Sequence, residues 1–452
     1  MIIREYKTTL TSNEIFCQFR NQPYLMFLDS ARDKATLGKY SIIVCHPRSI
    51  LSSKGEEILL DDSAKKGDPF DALRSVLNQY KMSYKSDLPF IGGLVGFLSY
   101  DLKQFVESLD VSVEDDINMP DMFFGVYDGA VIYDHKAEKV YLTDACLDDN
   151  YEKRLQRMID IIEKDQIQIE LKEHQEPANI KSNFQEEPYK EAIQAVRDYI
   201  RSGDIYQVNM TQRFESDLRD HPFELYQKLR LLNPAPFASY IDFGTGHVAS
   251  SSPERFIKVT DNLIETRPIK GTMPRSKDPK IDQRNKDILI NSKKDRSELL
   301  MIVDLERNDL SRIAKTGTVE VTELFKLESY ATVHHLVATV QAKIDASFDI
   351  VDTIKATFPG GSITGAPKIR AMEVIDELEP TARALYTGSI GYIDFNQNLD
   401  LNIVIRTFIC KNNKAYFQAG GGIVWDSDPH AEYQESLDKA FALKNALNYG
   451  VK

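Results

Sequence analysis

The chain carries two kinds of hydrophobic pattern, one repeating every two residues as in strands and one repeating near 3.6 residues as in helices. Alternation of the first kind dominates the N-terminal part, as in KYSIIVCHP and GAVIYDHKAEKVYLTD. Further along, helical stretches mix with strands, without the regular strand–helix repeat of a doubly wound sheet. The pattern predicts an α+β protein with large, mainly antiparallel sheets flanked by helices.

Four segments of the C-terminal part make this prediction specific. The stretch EEPYKEAIQAVRDYIRS predicts an amphipathic helix that breaks at Ser202–Gly203 before a strand, and 286–314 predicts one long helix. Residues 399–409 alternate cleanly and predict one strand with Asn402 and Arg406 on the same face. The final helix is predicted to begin at Asp428–Pro429, since an acidic N-cap followed by proline favours a helix start.

One composition shift predicts the domain organisation. Residues 163–189 are polar, charged and poor in large apolar side chains, which is typical of an exposed connection. We therefore expect an N-terminal lobe over 1–165, a polar linker over 166–188 and a catalytic domain over 189–452.

Composition narrows the class of protein. The 452 residues are 42% hydrophobic and carry a formal net charge of −13, which favours a packed core and argues against a nucleic-acid partner. The four cysteines have no metal-binding or disulfide spacing. Since no 18-residue apolar run or signal-peptide pattern is present, we expect a cytoplasmic enzyme with no membrane association.

Two glutamates are candidates for a metal site. Glu298 and Glu435 both fall in helical stretches, and Mg²⁺ takes one or two protein carboxylates with water and substrate oxygens completing its shell. The alternative is that both glutamates lie on solvated helix faces, which is the commoner fate of charged residues.

Other polar positions suggest a substrate site. Gln207 alternates with Asn209 and Thr211 on one predicted strand face, Glu254 follows a proline at the end of a turn, and Gly420–Gly422 are expected to follow a strand and approach an anion. The stretch FPGGSITGAPK has the spacing of a phosphate-binding loop but lacks its lysine and hydroxyl residue, so an ATPase is excluded. His335 lies in an apolar strand-like stretch, where a histidine is more often a satisfied core residue than a ligand.

Lys270, in IETRPIKGTMPR, is a candidate nucleophile. A lysine attacks a substrate only as the neutral amine, against an ordinary pKa of about 10.4. Burial and neighbouring cations, here expected to be Arg267, Arg275 or a bound metal ion, favour that form. The alternative is a lysine that only pairs with an anionic substrate.

The order of eight motifs identifies a family. SSSPERF, PIKGTMPR, LLMIVDLERNDL, PGGSITGAPK, GSIGYIDF, NIVIRTF, AGGGIV and AEYQESLDKA follow one another within 188–445. This closely resembles the chorismate-utilising enzymes, which include anthranilate synthase component I, aminodeoxychorismate synthase component I, and the isochorismate and salicylate synthases. FLDSA, GKYSIIVCHP and GGLVGFLSYD extend the resemblance to the N-terminal lobe, so the fold of anthranilate synthase component I is expected.

The resemblance implies roles for residues at matching positions. Glu298 and Glu435 match the ligands of a Mg²⁺ ion that bridges the ring carboxylate of chorismate, with Asp295 and Glu432 in support. Glu254 matches the general acid that expels the C4 hydroxyl. The remaining matches are to groups that contact the substrate, namely Arg406, Tyr386, the amides of Gly420, Gly421 and Gly422, His335 and Ser362.

Two positions discriminate between branches of the family. Members that add water have a lysine where this chain has Gln207, so the resemblance favours addition of ammonia. Lys270 is typical of the branch that makes 4-amino-4-deoxychorismate for p-aminobenzoate and folate, whereas anthranilate synthases have alanine there. The alternatives kept are anthranilate synthase component I and a catalytically silent regulatory paralogue.

The resemblance also implies partners. The chain lacks the nucleophile motif of a glutaminase, so ammonia is expected from a separate glutamine amidotransferase subunit. In relatives the N-terminal lobe carries a tryptophan pocket, here expected between FLDSA and NPAPF (233–237). Because Asp29 replaces the usual glutamate, feedback inhibition is not expected, and a bound tryptophan or similar amino acid stays open.

Overall fold

A computed structural model describes residues 1–30, 38–109, 113–164, 167, 169–329 and 333–451. Within these ranges the strands are β1 (Ile2–Tyr6), β2 (Met26–Asp29), β3 (Tyr40–Val44), β4 (Ser49–Lys54), β5 (Glu57–Leu60), β6 (Ser63–Lys66), β7 (Gly93–Leu98), β8 (Met122–Tyr127), β9 (Gly129–Asp134), β10 (Lys139–Asp144), β11 (Lys181–Ser182), β12 (Gln207–Asp217), β13 (Phe237–Asp242), β14 (His247–Ser252), β15 (Arg255–Thr260), β16 (Leu263–Thr266), β17 (Ile269–Pro274), β18 (Glu320–Ser329), β19 (Val333–Lys343), β20 (Gly365–Ala366), β21 (Ser389–Asp394), β22 (Leu399–Asn402), β23 (Thr407–Lys411) and β24 (Lys414–Ile423). The α-helices are α1 (Ser12–Gln18), α2 (Pro69–Gln79), α3 (Tyr151–Ile162), α4 (Glu186–Ser202), α5 (Pro222–Leu232), α6 (Pro279–Asn291), α7 (Lys293–Ser311), α8 (Ile350–Thr357), α9 (Lys368–Leu378) and α10 (Pro429–Leu447). Short 3₁₀ helices lie at Tyr100–Phe105 and Gly361–Ile363.

The strands form two 12-stranded antiparallel sheets. Sheet I has the order β1-β10-β9-β3-β2-β13-β14-β23-β24-β12-β11, with β20 also pairing with β12. Sheet II has the order β17-β19-β16-β15-β22-β21-β7-β8-β4-β5-β6, with β18 also pairing with β19. The predicted α+β class with large antiparallel sheets and flanking helices is confirmed.

Both sheets combine strands from the two ends of the chain. In sheet I, β2 pairs with β13, and in sheet II, β7 pairs with β21. Within the predicted linker, the described residues include β11, which pairs with β12. The division into an N-terminal lobe, a linker and a catalytic domain stays a prediction. Both sheets contain strands from the lobe and from the catalytic domain.

The two sheets pack face to face and helices cover their outer surfaces. One buried cluster joins Ile42 and Val248 of sheet I to Phe97 and Ile390 of sheet II. A second cluster packs α2, α7 and α8 on sheet II, and a third packs α1, α3, α5 and α10 on sheet I. Each aliphatic side chain that is fully buried in this way contributes roughly 1.5–3 kcal/mol. Within the described ranges, no helix is both long and apolar enough to cross a membrane.

The chain passes between the two sheets several times, and two of these crossovers lie side by side. It leaves sheet I after β14 and enters sheet II at β15, and it returns from β22 to β23. The two crossovers are hydrogen-bonded to each other: the Ile403 amide donates to Glu254 O at 3.0 Å and the Ser251 amide donates to Arg406 O at 3.0 Å. This pairing brings two candidate site residues to the junction between the sheets.

The second crossover corrects one prediction. Residues 399–409 do not form one strand, because β22 ends at Asn402 and β23 begins at Thr407 in the other sheet. A tight turn, in which the Ile405 amide donates to Ile403 O at 3.0 Å, separates them, and Arg406 has φ +52. The shared face predicted for Asn402 and Arg406 is therefore wrong, since an alternating pattern cannot show a change of sheet.

Two further predictions need correction and two are confirmed. The predicted helix over 286–314 is two helices, because Ser292 ends α6 and caps the N-terminus of α7 by accepting from the Asp295 amide. Gly420–Gly422 lie inside β24 instead of after it. The predicted break after Ser202 is confirmed, and Asp428 caps α10.

Candidate active site

Lys270 lies at a bulge in β17. The pairing of β17 with β19 loses register between Lys270 and Thr272, and Gly271 has φ +74, a backbone conformation that only glycine adopts without strain. A Cβ at Gly271 would also come within 2.7 Å of Leu289 and 2.9 Å of Asp295. Gly271 thus allows β17 to bend close to α7 beside Lys270.

The environment of Lys270 favours a neutral amine. Its Nζ donates to the Ser362 carbonyl oxygen at 3.3 Å. Burial lowers the pKa of Lys270, and the charge of Lys439 lowers it further, while Glu254 and Glu298 oppose the shift. The position therefore has the property that a lysine nucleophile requires.

The nearby cation is not one of the arginines that the sequence suggested. Arg267 pairs with Glu328 at 2.6 Å and Arg275 pairs with Asp282 at 2.9 Å. Lys439 of α10 supplies the positive charge that affects Lys270. The sequence signal for Lys439 was its place one helical turn after Glu435, which our interpretation of the sequence did not use.

Glu254 occupies the first crossover and is 7% exposed. Burial raises the pKa of its carboxyl group, and the charge of Lys270 opposes that shift. A carboxyl with a raised pKa beside an amine with a lowered pKa is the combination that a general acid and a nucleophile need. The structure therefore brings Glu254 and Lys270 together in one electrostatic unit.

Glu298 of α7 and Glu435 of α10 approach each other across the same site. Burial raises the pKa of Glu298, and the charges of Asp295 and Glu435 raise it further. Burial also opposes ionisation of Glu435, but the ammonium of Lys439, 2.6 Å away, holds the pKa of that carboxyl below its usual value. These carboxylates, 137 positions apart in the chain, form one cluster.

Glu432 completes the acidic cluster. Burial raises the pKa of its carboxyl group, and a hydrogen bond from Ser427 at 2.6 Å opposes the shift. A Cβ at Gly421 would lie 3.2 Å from oxygens of both Glu432 and Glu435. The absence of a side chain at Gly421 leaves room for these two carboxylates.

The acidic cluster fits a hard divalent cation. Glu298 Oε1 is buried without a hydrogen-bond partner in the described part of the chain, and carboxylate oxygens are the donors that Mg²⁺ prefers. In the same ranges no three His, Cys, Asp or Glu side chains are arranged to hold a metal ion. The residues therefore fit an ion that takes one or two protein carboxylates and other ligands from water and substrate.

Arg406 is a guanidinium without a carboxylate partner in the described ranges. It donates to Asn233 Oδ1 at 3.3 Å, and burial lowers the pKa of the side chain. Burial lowers the pKa of the His335 imidazole, and the nearby charge of Arg406 lowers it further. His335 Nδ1 also lies 3.0 Å from Thr272 Oγ1. Such a guanidinium is suited to binding a carboxylate.

Gln207 and the glycines of β24 form another side of the site. Asn209 of β12 pairs with Gly422, and a Cβ at Gly422 would come within 2.3 Å of Gln207 Nε2. Tyr386 is buried, which raises the pKa of its hydroxyl, and the amide of the next residue, Thr387, donates to Val404 O at 2.7 Å in the second crossover.

Buried oxygens without partners concentrate at the site. Within the described residues, twelve buried side-chain oxygens have no hydrogen-bond partner. Four belong to candidate site residues, namely Gln207, Glu254, Glu298 and Ser362. Since folded proteins leave few such groups unpaired, their concentration here indicates a place where a polar ligand completes the hydrogen bonding.

A separate cavity of about 1090 Å³ lies between the strands of the N-terminal part and the segment that contains NPAPF. Its lining residues include Leu28 and Ser30 of FLDSA and Phe237 of NPAPF. The two segments predicted to form a pocket therefore line the same cavity. Asp29 is already held by Arg230 at 2.6 Å and by Ser41 at 3.1 Å. Ala31 of FLDSA lies outside the described residues.

Fold and site together define an enzyme-like class: two large antiparallel sheets with a half-buried lysine–carboxylate site at their junction. A family model described as chorismate binding enzyme matches residues 25–445. Aminodeoxychorismate synthase component 1 of Escherichia coli is 41% identical over 430 residues, covering 94% of this chain and 93% of the relative. The protein of the same name from Bacillus subtilis is 38% identical over 443 residues, covering 95% and 92%.

A solved structure, anthranilate synthase component I from Streptococcus pneumoniae, superposes with a TM-score of 0.82 at 33% identity, covering 91% of this chain and 93% of that one. The chain therefore belongs to the family of chorismate-binding enzymes. The predicted resemblance and the predicted fold are confirmed, whereas the roles of individual residues stay predictions.

Proposed function

We propose that the chain is the synthase component of an aminodeoxychorismate synthase, which replaces the C4 hydroxyl of chorismate by an amino group. The observation that carries the proposal is Lys270, which lies within the electrostatic reach of Glu254 and Glu298 and whose pKa is lowered by burial. The 41% and 38% identities to two proteins of that name support it.

The proposed reaction has two stages. Neutral Lys270 attacks C2, the two ring double bonds shift, and the C4–O bond breaks as Glu254 donates its proton, so that water leaves. Ammonia then attacks C4, the double bonds return, and the C2–N bond to Lys270 breaks with its electron pair staying on the amine. Glu254, now a carboxylate, takes the surplus proton from the new ammonium and is restored for the next turnover.

The anionic groups of chorismate match the charges around Lys270. Arg406 binds the enolpyruvyl carboxylate, with Tyr386 and the amides of Gly420, Gly421 and Gly422 alongside, while His335, Ser362 and Gln207 contact the ring. Glu298 and Glu435, supported by Asp295 and Glu432, would hold Mg²⁺ beside the ring carboxylate. When bound, the ion neutralises charge on that carboxylate and so favours electron flow toward C1.

Ammonia and regulation involve further partners. We propose a separate glutamine amidotransferase subunit as the ammonia source. The cavity beside Leu28 and Phe237 is proposed to hold an amino acid such as tryptophan. The hydrogen-bonded state of Asp29 supports a structural role for that residue instead of an inhibitory switch.

The test is product identification. The purified chain is incubated with chorismate, MgCl₂ and an ammonium salt, followed by a lyase that cleaves aminodeoxychorismate. Release of p-aminobenzoate is expected. Anthranilate as the product would support the second candidate, anthranilate synthase component I. No consumption, even with a glutaminase subunit added, would support a silent regulatory paralogue.

Lys270→Ala tests the nucleophile directly. Loss of p-aminobenzoate formation is expected, while Lys343→Ala, which changes an exposed lysine of the adjacent β19, should leave the rate unchanged. Mass spectrometry of Glu254→Gln mixed with chorismate should show no covalent adduct, because the C4 hydroxyl then lacks its acid. A Lys270→Ala protein with an unchanged rate of p-aminobenzoate formation would exclude the covalent route.

A further inference from the structure

Glu306 is a second buried carboxyl group near the proposed acid. It lies on α7, the helix that also carries Glu298, and is 8% exposed. The charge of Glu254 acts on the carboxyl group of Glu306. None of the roles derived from the family motifs falls on Glu306, and neither the proposed metal site nor the proposed substrate contacts include it.

The Thr266 hydroxyl faces two acceptors, and it can satisfy both of them only if Glu306 carries a proton. Thr266 Oγ1 lies 2.9 Å from the Phe256 carbonyl oxygen and 3.1 Å from Glu306 Oε2. A hydroxyl has one proton to donate and a carbonyl oxygen only accepts. When Thr266 donates to Phe256, the contact with Glu306 is a hydrogen bond only if the carboxyl group is protonated and acts as the donor.

The charges around Glu306 agree with a neutral acid. Burial raises its pKa well above the ordinary value. A hydrogen bond donated by Thr266 and the charge of Lys368 oppose this shift, while the charges of Glu254 and Asp309 add to it. Lys368, whose charge acts on Glu306, is engaged by Asp309 at 2.5 Å and by the Thr357 carbonyl at 3.1 Å. No described cation is therefore left to pair with Glu306 alone.

We propose that Glu306 is a neutral positioning residue for Glu254, acting through the hydrogen-bonded series Glu306–Thr266–Phe256. This series connects α7 to Phe256 of β15, which lies two residues after Glu254. Since α7 also carries Glu298, the series fixes the position of Glu254 relative to Glu298. Neutrality also matters, because the reaction leaves a negative charge on Glu254, and two adjacent buried carboxylates are disfavoured. The inference rests on the role proposed for Glu254.

Infrared difference spectroscopy tests the neutral state without substrate. The spectrum of the wild-type protein minus that of Glu306→Gln, recorded at neutral pH, is expected to contain the carbonyl band of a protonated carboxyl group. The same band should persist in a Glu254→Gln background. Carboxylate bands in its place would overturn the proposal, whichever product the enzyme makes.

Kinetics of chorismate consumption test the positioning role. Glu306→Gln keeps a neutral donor to Thr266, so its kcat should stay within about twofold of the wild type. Glu306→Leu removes the donor, so kcat should fall about fivefold to tenfold with little change in KM. If kcat fell equally in Glu306→Gln and Glu254→Gln, Glu306 itself would be the acid. If kcat fell in neither Glu306 variant, Glu306 would have no positioning role. Either result overturns the proposal.

The pH profile separates positioning from simple packing. The charged groups that face Glu306 are Glu254, Asp309 and Lys368. If Glu306 is neutral, Glu306→Gln leaves the alkaline limb set by Glu254 at its wild-type pH. If Glu306 were ionised, the substitution would remove a negative charge and lower the pKa of Glu254, and a shift of that limb to lower pH by about one unit would overturn the proposal. This readout stays informative if Glu306→Leu does not fold.

Discussion

Replacing Arg406 by glutamine should make the protein more stable and impair substrate binding. In the described ranges Arg406 has only the neutral side chain of Asn233 as a hydrogen-bond partner, and burial disfavours its charge. An uncompensated buried charge costs several kcal/mol, whereas the hydrogen bond to Asn233 returns about 1.5–3 kcal/mol. Because Arg406 is only partly buried, water offsets part of that cost, and the net gain from Arg406→Gln is about 1 kcal/mol.

The assays follow from these magnitudes. For a chain of 452 residues, 1 kcal/mol corresponds to roughly 1 °C in Tm, so chemical denaturation is the better measure of stability. Loss of a charged hydrogen-bonded contact to the substrate carboxylate costs about 3 kcal/mol, so the KM for chorismate should rise about a hundredfold. Stability and binding thus change in opposite directions.

Arg255→Gln is the matched control. Arg255 is buried, but it is paired with Asp400 at 2.9 Å and Glu265 at 3.2 Å. Its replacement removes the cationic partner of both carboxylates and should lower the free energy of unfolding by about 3–5 kcal/mol, with little direct effect on chorismate binding. If Arg406→Gln were destabilised like the control, Arg406 would be a structural residue and the reasoning would be refuted.

Three further predictions address the backbone, the pH dependence and a remote carboxyl group. Gly420→Ala should prevent folding, since its Cβ would lie 2.0 Å from Met210 O. In Gly421→Ala the new Cβ meets only movable carboxylates at 3.2 Å, so this variant should fold but bind Mg²⁺ more weakly. Circular dichroism measures the folding, and metal titration measures the affinity. The kcat–pH profile should be bell-shaped. The rate rises with pH as Lys270, whose pKa is lowered, loses its proton, and it falls as Glu254, whose pKa is raised, loses its proton. Glu254→Gln should remove the alkaline limb together with most of the activity. Burial raises the pKa of Asp101 to about 7, so the wild-type protein loses stability as the pH rises from about 4 to 7. Asp101→Asn should therefore add about 4 kcal/mol at pH 8 and nothing at pH 4 in urea denaturation. Equal effects at both pH values would contradict this.

Local sequence patterns predicted where helices and strands begin and end better than they predicted which sheet a strand joins. The cap at Asp428 and the break at Gly203 depend on neighbouring residues only, so they could be read directly. The division of 399–409 between two sheets could not, because both halves alternate in the same way and the turn before Arg406 contains no glycine or proline.

The candidate site shows the same limit. Motif order indicated which residues belong together, but the partners of Lys270 depend on the contact between α7, α10 and β17. Arg267 and Arg275 are near Lys270 in sequence and pair with carboxylates elsewhere. Lys439 and Glu306 were missed because their significance arises only from burial beside residues remote in the chain.

The interleaving of early and late strands has a consequence for synthesis of the protein on the ribosome. β7 pairs with β21, and β2 pairs with β13, which neighbours β14 and then β23. Sheet II is not complete until β22 has left the exit tunnel, and sheet I is not complete until β24 has left it. The N-terminal strands therefore keep open hydrogen-bonding edges during most of translation. Because such distant pairings also slow folding, nascent chains stalled before β21 should associate with chaperones that shield exposed strands.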